Sequence, residues 1–273
     1  MSCSPGTIAI VGAGNIGRAI ADGLVKSHIY QPRDIILTRR TARLLEPFAE
    51  MGYRTTTDNR EAVRHAVVVV LAVAPRDAAG VLQEIAGELD PERHVFVSVV
   101  TGVTVAAITS VVGHEIPVIR AMPNTAIAIQ HSMTCLATSD TTPADRLAQV
   151  RALFDTMGRS YVIHEDQMLS ATSLCACGTA FFLRCIRAAS QGGVEIGFHA
   201  DEALFLAAQT ALGAAQLLLH SRRHPEEEID KVTTPRGITI SGLNQMEHNG
   251  LSSAMIRGIV VSAEKAAKLF HDE

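Results

Sequence analysis

Clusters of basic residues are absent from this chain of 273 residues, whose formal net charge at pH 7 is −4. Its longest runs of Lys and Arg are two pairs, Arg39-Arg40 and Arg222-Arg223. This charge distribution argues against nucleic acid or an anionic membrane surface as a partner. Histidine pairs at helical ligand spacing together with an acidic residue, as in H-E-x-x-H, are also missing, so we expect no metal site.

Cysteine is scarce, and its number is odd. An odd number in a chain of this size argues against a secreted disulfide framework and favours a reducing cytoplasm. The few residues before the first apolar run include no basic one, so we expect no signal peptide. Cys175 and Cys177 bracket one alanine, but a structural zinc site needs four ligands and no second pair is present. Cys3 is expected in a frayed terminus, and Cys135 is expected to be buried in a strand.

Short apolar runs alternate with amphipathic stretches through the first half of the chain. This alternation predicts a parallel sheet with right-handed crossovers. Strands are expected at 8–11, 34–38, 53–57, 67–72, 95–99 and 117–121, and helices at 15–27, 42–51 and 77–88.

The pattern changes at about His164, because strand-like runs give way to segments rich in Ala and Leu. We expect helices at 180–193, 200–221 and 251–270. Within the second of these, residues 203–219 approach the length of a membrane span but include Gln209 and Gln216. We interpret them as a buried helix in a core or at a subunit interface.

A glycine-rich loop, Gly12-x-Gly14-x-x-Gly17 in IAIVGAGNIGRAI, lies between the first predicted strand and a helix. In this context the pattern indicates dinucleotide binding, with Gly12 in a tight turn and Gly14 close to a pyrophosphate. Gly17 allows close packing of helix on strand, and the helix start offers N–H groups to phosphate. The alternative is a glycine-rich turn without a ligand.

The residues at the end of the second predicted strand indicate which dinucleotide binds. An NAD site usually places Asp or Glu there, whereas this chain has Thr38-Arg39-Arg40. Two guanidiniums and a hydroxyl attract a 2′-phosphate, which predicts NADPH over NADH. The alternative is that the arginines form the exposed start of the next helix.

Four further stretches resemble one family of enzymes. They are TTTDNREAV before VVVVLAVAP, then VIRAMPNTA, HEDQMLSATSLCACGTAFF and HPEEEIDKVTTPRGITISGL. With the glycine loop, they make the chain similar over nearly its whole length to pyrroline-5-carboxylate reductase, an oxidoreductase acting on CH–NH groups. The resemblance implies reduction of 1-pyrroline-5-carboxylate to L-proline with NADPH, the last step of proline biosynthesis.

The resemblance also implies the architecture of the chain. We expect an α/β fold class, with a Rossmann-type NADP-binding domain at 1–163 and an all-helical dimerisation and substrate domain at 164–273. The helical domain is expected to interlock with a partner as a homodimer or a higher homo-oligomer, with the active site between the domains.

Carried over by position, the resemblance implies two sets of site residues. The cofactor contacts would be Gly12, Ala13, Gly14, Asn15, Ile16, Gly17, Thr38, Arg39, Arg40, Asn59, Ala72, Val73, Ala74 and Pro75. The substrate contacts would be Met122, Pro123, Asn124, Glu165, Thr234, Arg236, Gly237 and Ile238, with Thr239 as the catalytic residue.

The expected chemistry asks little of the protein. The nicotinamide supplies hydride, while the protein positions the two carbons and excludes water. Backbone N–H groups around Gly237 suit the substrate carboxylate. Thr239 either donates toward the ring nitrogen or serves as the N-cap of the following helix, and the two roles are compatible.

The chain departs from the family pattern near the expected substrate site. Cys175 and Cys177 replace small serines, which suggests small side chains at the start of a helix in a drier pocket. A thiol at a helix start can have a lowered pKa and oxidise readily. Arg236 replaces a glycine, and it could grip a substrate carboxylate, fill the pocket or point to solvent. The usual A-V-K-P-Q is Ala72-Val73-Ala74-Pro75-Arg76 here, and a small A-A-G becomes Val100-Thr101-Gly102.

These departures keep other functions open. The chain could be a paralogue that reduces a different small imine acid, or a non-catalytic NADP-binding protein of the same fold. A metal- or redox-responsive protein that uses Cys175 and Cys177 is a further alternative.

Overall fold

The structure is a computed structural model that describes residues 6–139 and 141–269. The prediction for Cys3 and the predicted end of the last helix at Phe270 lie outside these residues. The chain divides into two units: one runs to Ala176 and includes a segment from Ala263 onward, and the other is Cys177–Ser262.

An eight-stranded sheet forms the centre of the first unit, in the order β3-β2-β1-β4-β5-β6-β7-β8. All neighbouring strands are parallel except β6 and β7. The strands are β1 Ile8–Val11, β2 Ile35–Thr38, β3 Arg54–Thr56, β4 Val68–Leu71, β5 Val95–Ser98, β6 Val118–Met122, β7 Ser132–Thr138 and β8 Gly158–Val162.

Helices cover both faces of this sheet. They are α1 Asn15–Lys26, α2 Glu46–Glu50, α3 Asn59–Arg64, α4 Pro75–Ile85, α5 Val105–Val112, α6 Ala144–Asp155 and α7 Met168–Ala171. Alternate residues of β1 enter two separate cores, with Ile8 and Ile10 in one and Ala9 and Val11 in the other. A strand buried on both faces explains the nearly continuous apolar runs of the parallel strands.

The six predicted strands, β1 to β6, form the expected parallel sheet, and the structure adds an antiparallel neighbour, β7, that was not predicted as part of it. Only residues 123–131, which include the 3-10 turn Thr125–Ile129, separate β6 from β7. A parallel connection needs about a dozen residues or more to cross the sheet. The chain therefore reverses, and β7 pairs with β6 in antiparallel register, Met122 opposite Cys135.

Other differences from the predicted elements are local. The helix expected at 42–51 is a 3-10 turn at Ala42–Leu44 followed by α2, because Pro47 fits the first turn of a helix better than its interior. The prediction omitted α3, α5, α6 and β8. It placed Cys135 in a strand but gave no bounds for that strand, which is β7.

The second unit is helical throughout its regular structure, as predicted. It contains α8 Gly178–Glu195, α9 Ala200–Ser221, α10 Pro225–Val232 and α11 Ile238–His248, and α12 Leu251–Leu269 begins in it. Helix α9 buries only Ala203. Of the two expected places, a core or a subunit interface, a core within this chain is excluded, and the subunit interface stays a prediction.

The segment with the two cysteines is helical on both sides. Helix α7 is followed by the π-helical turn Thr172–Cys177, and α8 follows directly. Cys175 and Cys177 therefore lie inside helical structure, and the expectation that they begin a helix was wrong.

Candidate active site

A cavity of about 640 Å³ opens at the carboxyl ends of β1, β2 and β4. The chain leaves β1 toward β2 and β3 and then returns to the other side of β1 with β4, so the strand order reverses here. Such a reversal is where open α/β sheets bind their ligands. Ten of the fourteen predicted cofactor residues line this one cavity: Gly12, Ala13, Gly14, Thr38, Arg39, Arg40, Asn59, Ala72, Val73 and Ala74.

The four other predicted cofactor residues do not line the cavity. Asn15, Ile16 and Gly17 form the first turn of α1, and Pro75 is the first residue of α4. These residues begin two helices, and each helix directly follows a residue that lines the cavity, Gly14 or Ala74.

Each glycine of the loop has a distinct geometry. Gly12 has a φ of +103°, and a side chain there would meet the carbonyl of Ala72. A side chain at Gly17 would overlap the carbonyl oxygen of Gly12. At Gly14 a Cβ would have no other atom within 4 Å, so the space before this residue is open to a ligand. These surroundings are compatible with the three roles expected from the sequence, which stay predictions.

Partly buried and exposed hydrogen bonds fix the wall of the cavity. The Thr38 hydroxyl accepts from Gly12 N at 3.2 Å and donates to Asn59 Oδ1 at 2.6 Å. The Asn59 amide donates to Glu84 Oε2 at 2.9 Å. Asp58 caps α3 by accepting from the N–H groups of Arg60 and Glu61, which holds Asn59 at the first position of that helix.

Three arginines border the cavity, and sequence reasoning assigned only two of them. Arg39 and Arg40 follow β2, and Arg76 is the second residue of α4. Arg40 Nη2 lies 3.4 Å from Asp77 Oδ2 in an exposed ion pair. The signal for Arg76 was present in the departure Ala74-Pro75-Arg76, where the family pattern has lysine and glutamine. The lining residues Thr41, Leu44, Asp77, Gly80 and Val81 were also not predicted.

Asn124 organises a second group of predicted residues beyond β6. Its backbone N–H donates to Ser132 Oγ at 3.1 Å, and its side-chain oxygen caps the 3-10 turn by accepting from Ala126 N. Its amide nitrogen donates to the carbonyl of Cys175 at 3.3 Å, in the π-helical turn. Turns of this type occur frequently at functional sites. Met122 ends β6 and is buried, and Pro123 joins it to Asn124.

Glu165 joins two elements of the same unit. Its Oε1 accepts from Val105 N at 2.6 Å, at the start of α5, and from Arg120 Nη1 at 3.1 Å, in β6. Burial lowers the pKa of the Arg120 guanidinium, and the ion pair with Glu165 opposes that shift. Arg120 Nη2 is buried and has no hydrogen-bond partner among the described residues. The carboxylate of Glu165 is thus fixed by protein groups, and its contact with substrate stays a prediction.

Thr234, Arg236, Gly237, Ile238 and Thr239 belong to the second unit. Gly237 is the N-cap of α11, and its N–H donates to Thr234 O at 2.8 Å. Thr239 is therefore the second residue of the helix, so its expected role as the N-cap was wrong. Arg236 has a φ of +59°, the left-handed conformation that the family's glycine adopts readily.

The sheet, the glycine loop and the cavity define the class of this protein: a dinucleotide-binding oxidoreductase of the Rossmann type with a helical second unit. Two family models match the chain. One, described as "NADP oxidoreductase coenzyme F420-dependent", covers residues 7–102, and one, described as "Pyrroline-5-carboxylate reductase dimerisation", covers residues 165–269.

Relatives with established names extend this comparison. Pyrroline-5-carboxylate reductase 2 of Dictyostelium discoideum is 47% identical over 96% of this chain and 92% of its own length. Pyrroline-5-carboxylate reductase 1 of the same organism is 49% identical over 96% of this chain, which spans only 50% of that relative. The enzyme of Methanosarcina acetivorans is 32% identical over 96% of this chain and 97% of its own. The chain belongs to the pyrroline-5-carboxylate reductase family.

Solved structures share the fold. The reductase of Coxiella burnetii has a TM-score of 0.88 and 28% identity, covering 97% of this chain and 98% of its own. The pyrroline carboxylate reductase of Plasmodium falciparum, solved with NADP bound, has a TM-score of 0.86 and 22% identity, covering 98% and 100%. The predicted fold class is therefore confirmed, whereas the domain boundaries at 163 and 164 and the individual site residues stay predictions.

Proposed function

We propose that this protein reduces 1-pyrroline-5-carboxylate to L-proline with NADPH. The observation that carries the proposal is the family membership over 96% of the chain, combined with the cavity at the strand reversal. The residues present fit NADPH: an open approach at Gly14, and Arg39, Arg40 and Arg76 on the lining where a 2′-phosphate would need cations.

The protein's part in the reaction is to bind and orient the substrate and to favour protonation of its ring nitrogen. When bound, NADPH supplies a hydride to the imine carbon. The N–H groups of Ile238 and Thr239, in the first turn of α11, suit the substrate carboxylate, because the first N–H groups of a helix have no partner within the helix. Thr239 is proposed to donate a hydrogen bond toward the ring nitrogen, which must gain a proton as the carbon gains hydride.

A direct assay tests this function. Purified protein should oxidise NADPH when 1-pyrroline-5-carboxylate is added, with proline formed in equal amount and with lower activity on NADH. Absence of turnover, combined with retained NADPH binding, would favour the non-catalytic interpretation.

Arg236 favours one second candidate, a reductase for a different small imine acid. Arg236 follows Pro235 in the loop that we assign to the substrate carboxylate, and it adds a guanidinium to that loop. An additional cation there suits a substrate with a second carboxylate. Comparing turnover of mono- and dicarboxylic cyclic imines distinguishes the two substrates.

The assembly and compartment are part of the proposal. A dimerisation segment is present at residues 165–269, and we propose a homodimer or higher homo-oligomer. Two helical stretches, Glu165–Glu195 and Ala200–Ser221, are long and apolar enough to cross a membrane, but both fall in that segment. We assign their apolar surface to the subunit interface, and the protein to the cytoplasm.

A further inference from the structure

Two cysteines that are far apart in sequence come into contact in the first unit. Cys135 Sγ, on β7, lies 3.9 Å from Cys175 Sγ, in the π-helical turn. Both pack in a small apolar cluster with Met122, Met168 and Ala171. The partner of Cys175 is thus Cys135, and not Cys177, its neighbour in the sequence motif.

Both ends of this contact are held in place by the fold. Cys135 is 5% exposed and lies between β6 and β8, opposite Met122 and Tyr161. The carbonyl of Cys175 accepts the amide of Asn124. The sulfur separation exceeds a disulfide bond by about 2 Å, a distance that side-chain rotation and a small backbone shift can close.

The two thiols are chemically unequal. Cys175 is partly exposed whereas Cys135 is buried. The hydrogen bond with Cys135 favours the Cys175 thiolate and lowers the pKa of Cys175 to about 7. The same hydrogen bond, together with burial, raises the pKa of the Cys135 thiol. A thiolate next to a protonated thiol is the arrangement of an attacking and a resolving cysteine.

We propose that Cys135 and Cys175 form a dithiol site that hydrogen peroxide oxidises to an internal disulfide. The Cys175 thiolate attacks a peroxide oxygen, and the O–O bond breaks. Hydroxide is the leaving group, and Cys175 becomes a sulfenic acid. The Cys135 sulfur then attacks the Cys175 sulfur, the S–S bond forms, the S–O bond breaks and water leaves. Two thiols lose two electrons and two protons, and one peroxide becomes two waters.

The test maps the bond in the unmodified protein. Reduced protein is treated with hydrogen peroxide, its remaining thiols are alkylated, and its proteolytic peptides are analysed by mass spectrometry. The expected result is a 135–175 cross-linked peptide that forms without intermolecular disulfides and disappears with dithiothreitol. A link between Cys175 and Cys177, a link between two chains, or no link at a peroxide dose that oxidises free cysteine would overturn the proposal.

Variants assign the roles of the two sulfurs. Cys175→Ser restores the family's usual residue and should abolish the cross-link. Cys135→Ser should leave a sulfenic acid on Cys175 that dimedone traps. Cys177→Ser is the matched control, because it removes the other cysteine of the motif and should form the 135–175 link as the wild type does. Loss of the link in this control would contradict the assignment.

Discussion

At the residue scale, Arg236 has a backbone conformation that its side chain disfavours. A residue with a Cβ in the left-handed region costs about 1–2 kcal/mol relative to its ordinary conformations, a penalty that glycine avoids. Arg236 is exposed and has a φ of +59°.

Arg236→Gly should therefore raise the free energy of unfolding by about 1 kcal/mol. Glycine also increases the conformational entropy of the unfolded chain, which reduces this gain. Urea denaturation measures this change. Arg223→Gly is the control, since Arg223 is exposed but does not have a positive φ, and it should bring no stabilisation. Equal effects in both variants would show that the backbone of Arg236 is not strained.

Arg76 gives a residue-scale prediction about the cofactor. Arg76→Gln, which restores the family's usual residue, should weaken NADPH binding about fivefold, or ~1 kcal/mol, because an exposed cation pairs weakly with a phosphate. NADH binding should change less, since NADH has no 2′-phosphate. Titration calorimetry measures both affinities. Arg43→Gln is the control, because Arg43 lies between the lining residues Thr41 and Leu44 but does not line the cavity. A uniform loss for NADPH and NADH would place Arg76 away from the 2′-phosphate.

His94 makes the stability of the protein depend on pH. It is 2% exposed, its Nδ1 accepts from Asp90 N at 2.8 Å, and its Nε2 faces Val63 O at 3.1 Å. Burial lowers the pKa of His94 below its ordinary value of 6.5. Between pH 6.5 and the lower pKa of the folded state, His94 is protonated in the unfolded chain but neutral in the folded protein. The free energy of unfolding therefore falls as the pH falls through this range.

Unfolding measured between pH 8 and about pH 5 should show this decline, and His94→Gln should remove it even though the variant is less stable throughout. His114→Gln, at an exposed histidine, should keep the decline. An unchanged pH profile in His94→Gln would assign the decline to other groups.

Sequence reasoning predicted residues that line the cavity when a backbone motif fixed their position. Gly12, Gly14 and Thr38 follow strands whose ends meet at one edge of the sheet, so their proximity follows from topology. The partner of Cys175 could not be found in this way. That contact depends on the antiparallel reversal into β7 and on the π-helical turn, and neither has a local sequence signal.

At the element scale, the same contrast separates the strands that were predicted from those that were not. Strands β1 and β4 are buried on both faces and appear as apolar runs. Strand β8 has the sequence Gly-Arg-Ser-Tyr-Val, of which only Ser160 is buried, and it pairs with β7 alone. An edge strand of this composition gives no periodic apolar signal, because one side of it faces water.

The junction of β1 and α1 yields an element-scale prediction from two glycines. Gly17→Ala should destabilise the protein by about 1–3 kcal/mol, because the new methyl group overlaps the Gly12 carbonyl and separates helix from strand. Gly14→Ala should keep the wild-type melting temperature within a few degrees and weaken NADPH binding, since the methyl group occupies open space that a pyrophosphate needs. Thermal unfolding and NADPH titration of both variants check this. The prediction is wrong if Gly14→Ala unfolds as readily as Gly17→Ala, or if it binds NADPH like the wild type.

At the scale of the whole molecule, the second unit has too much apolar surface for a protein that stays a monomer. In α9, Leu204 is 52% exposed, Phe205 is 69% exposed and Leu217 is 55% exposed. Large exposed apolar patches mark interaction surfaces. Composition predicted these helices correctly but left open whether a core or a partner covers them, because both environments select the same residues.

Phe205→Asp should therefore shift the protein from the proposed oligomer toward the monomer. Full burial of a phenylalanine contributes about 1.5–3 kcal/mol, and a two-fold interface contains each substitution twice, so the dissociation constant should rise by roughly two orders of magnitude or more. Sedimentation across a range of protein concentrations measures this shift. Ile29→Asp is the matched control, because Ile29 is 52% exposed but belongs to the first unit, and its sedimentation should equal that of the wild type. If the wild type sediments as a monomer, or if both variants dissociate alike, the apolar face of α9 does not form the subunit interface.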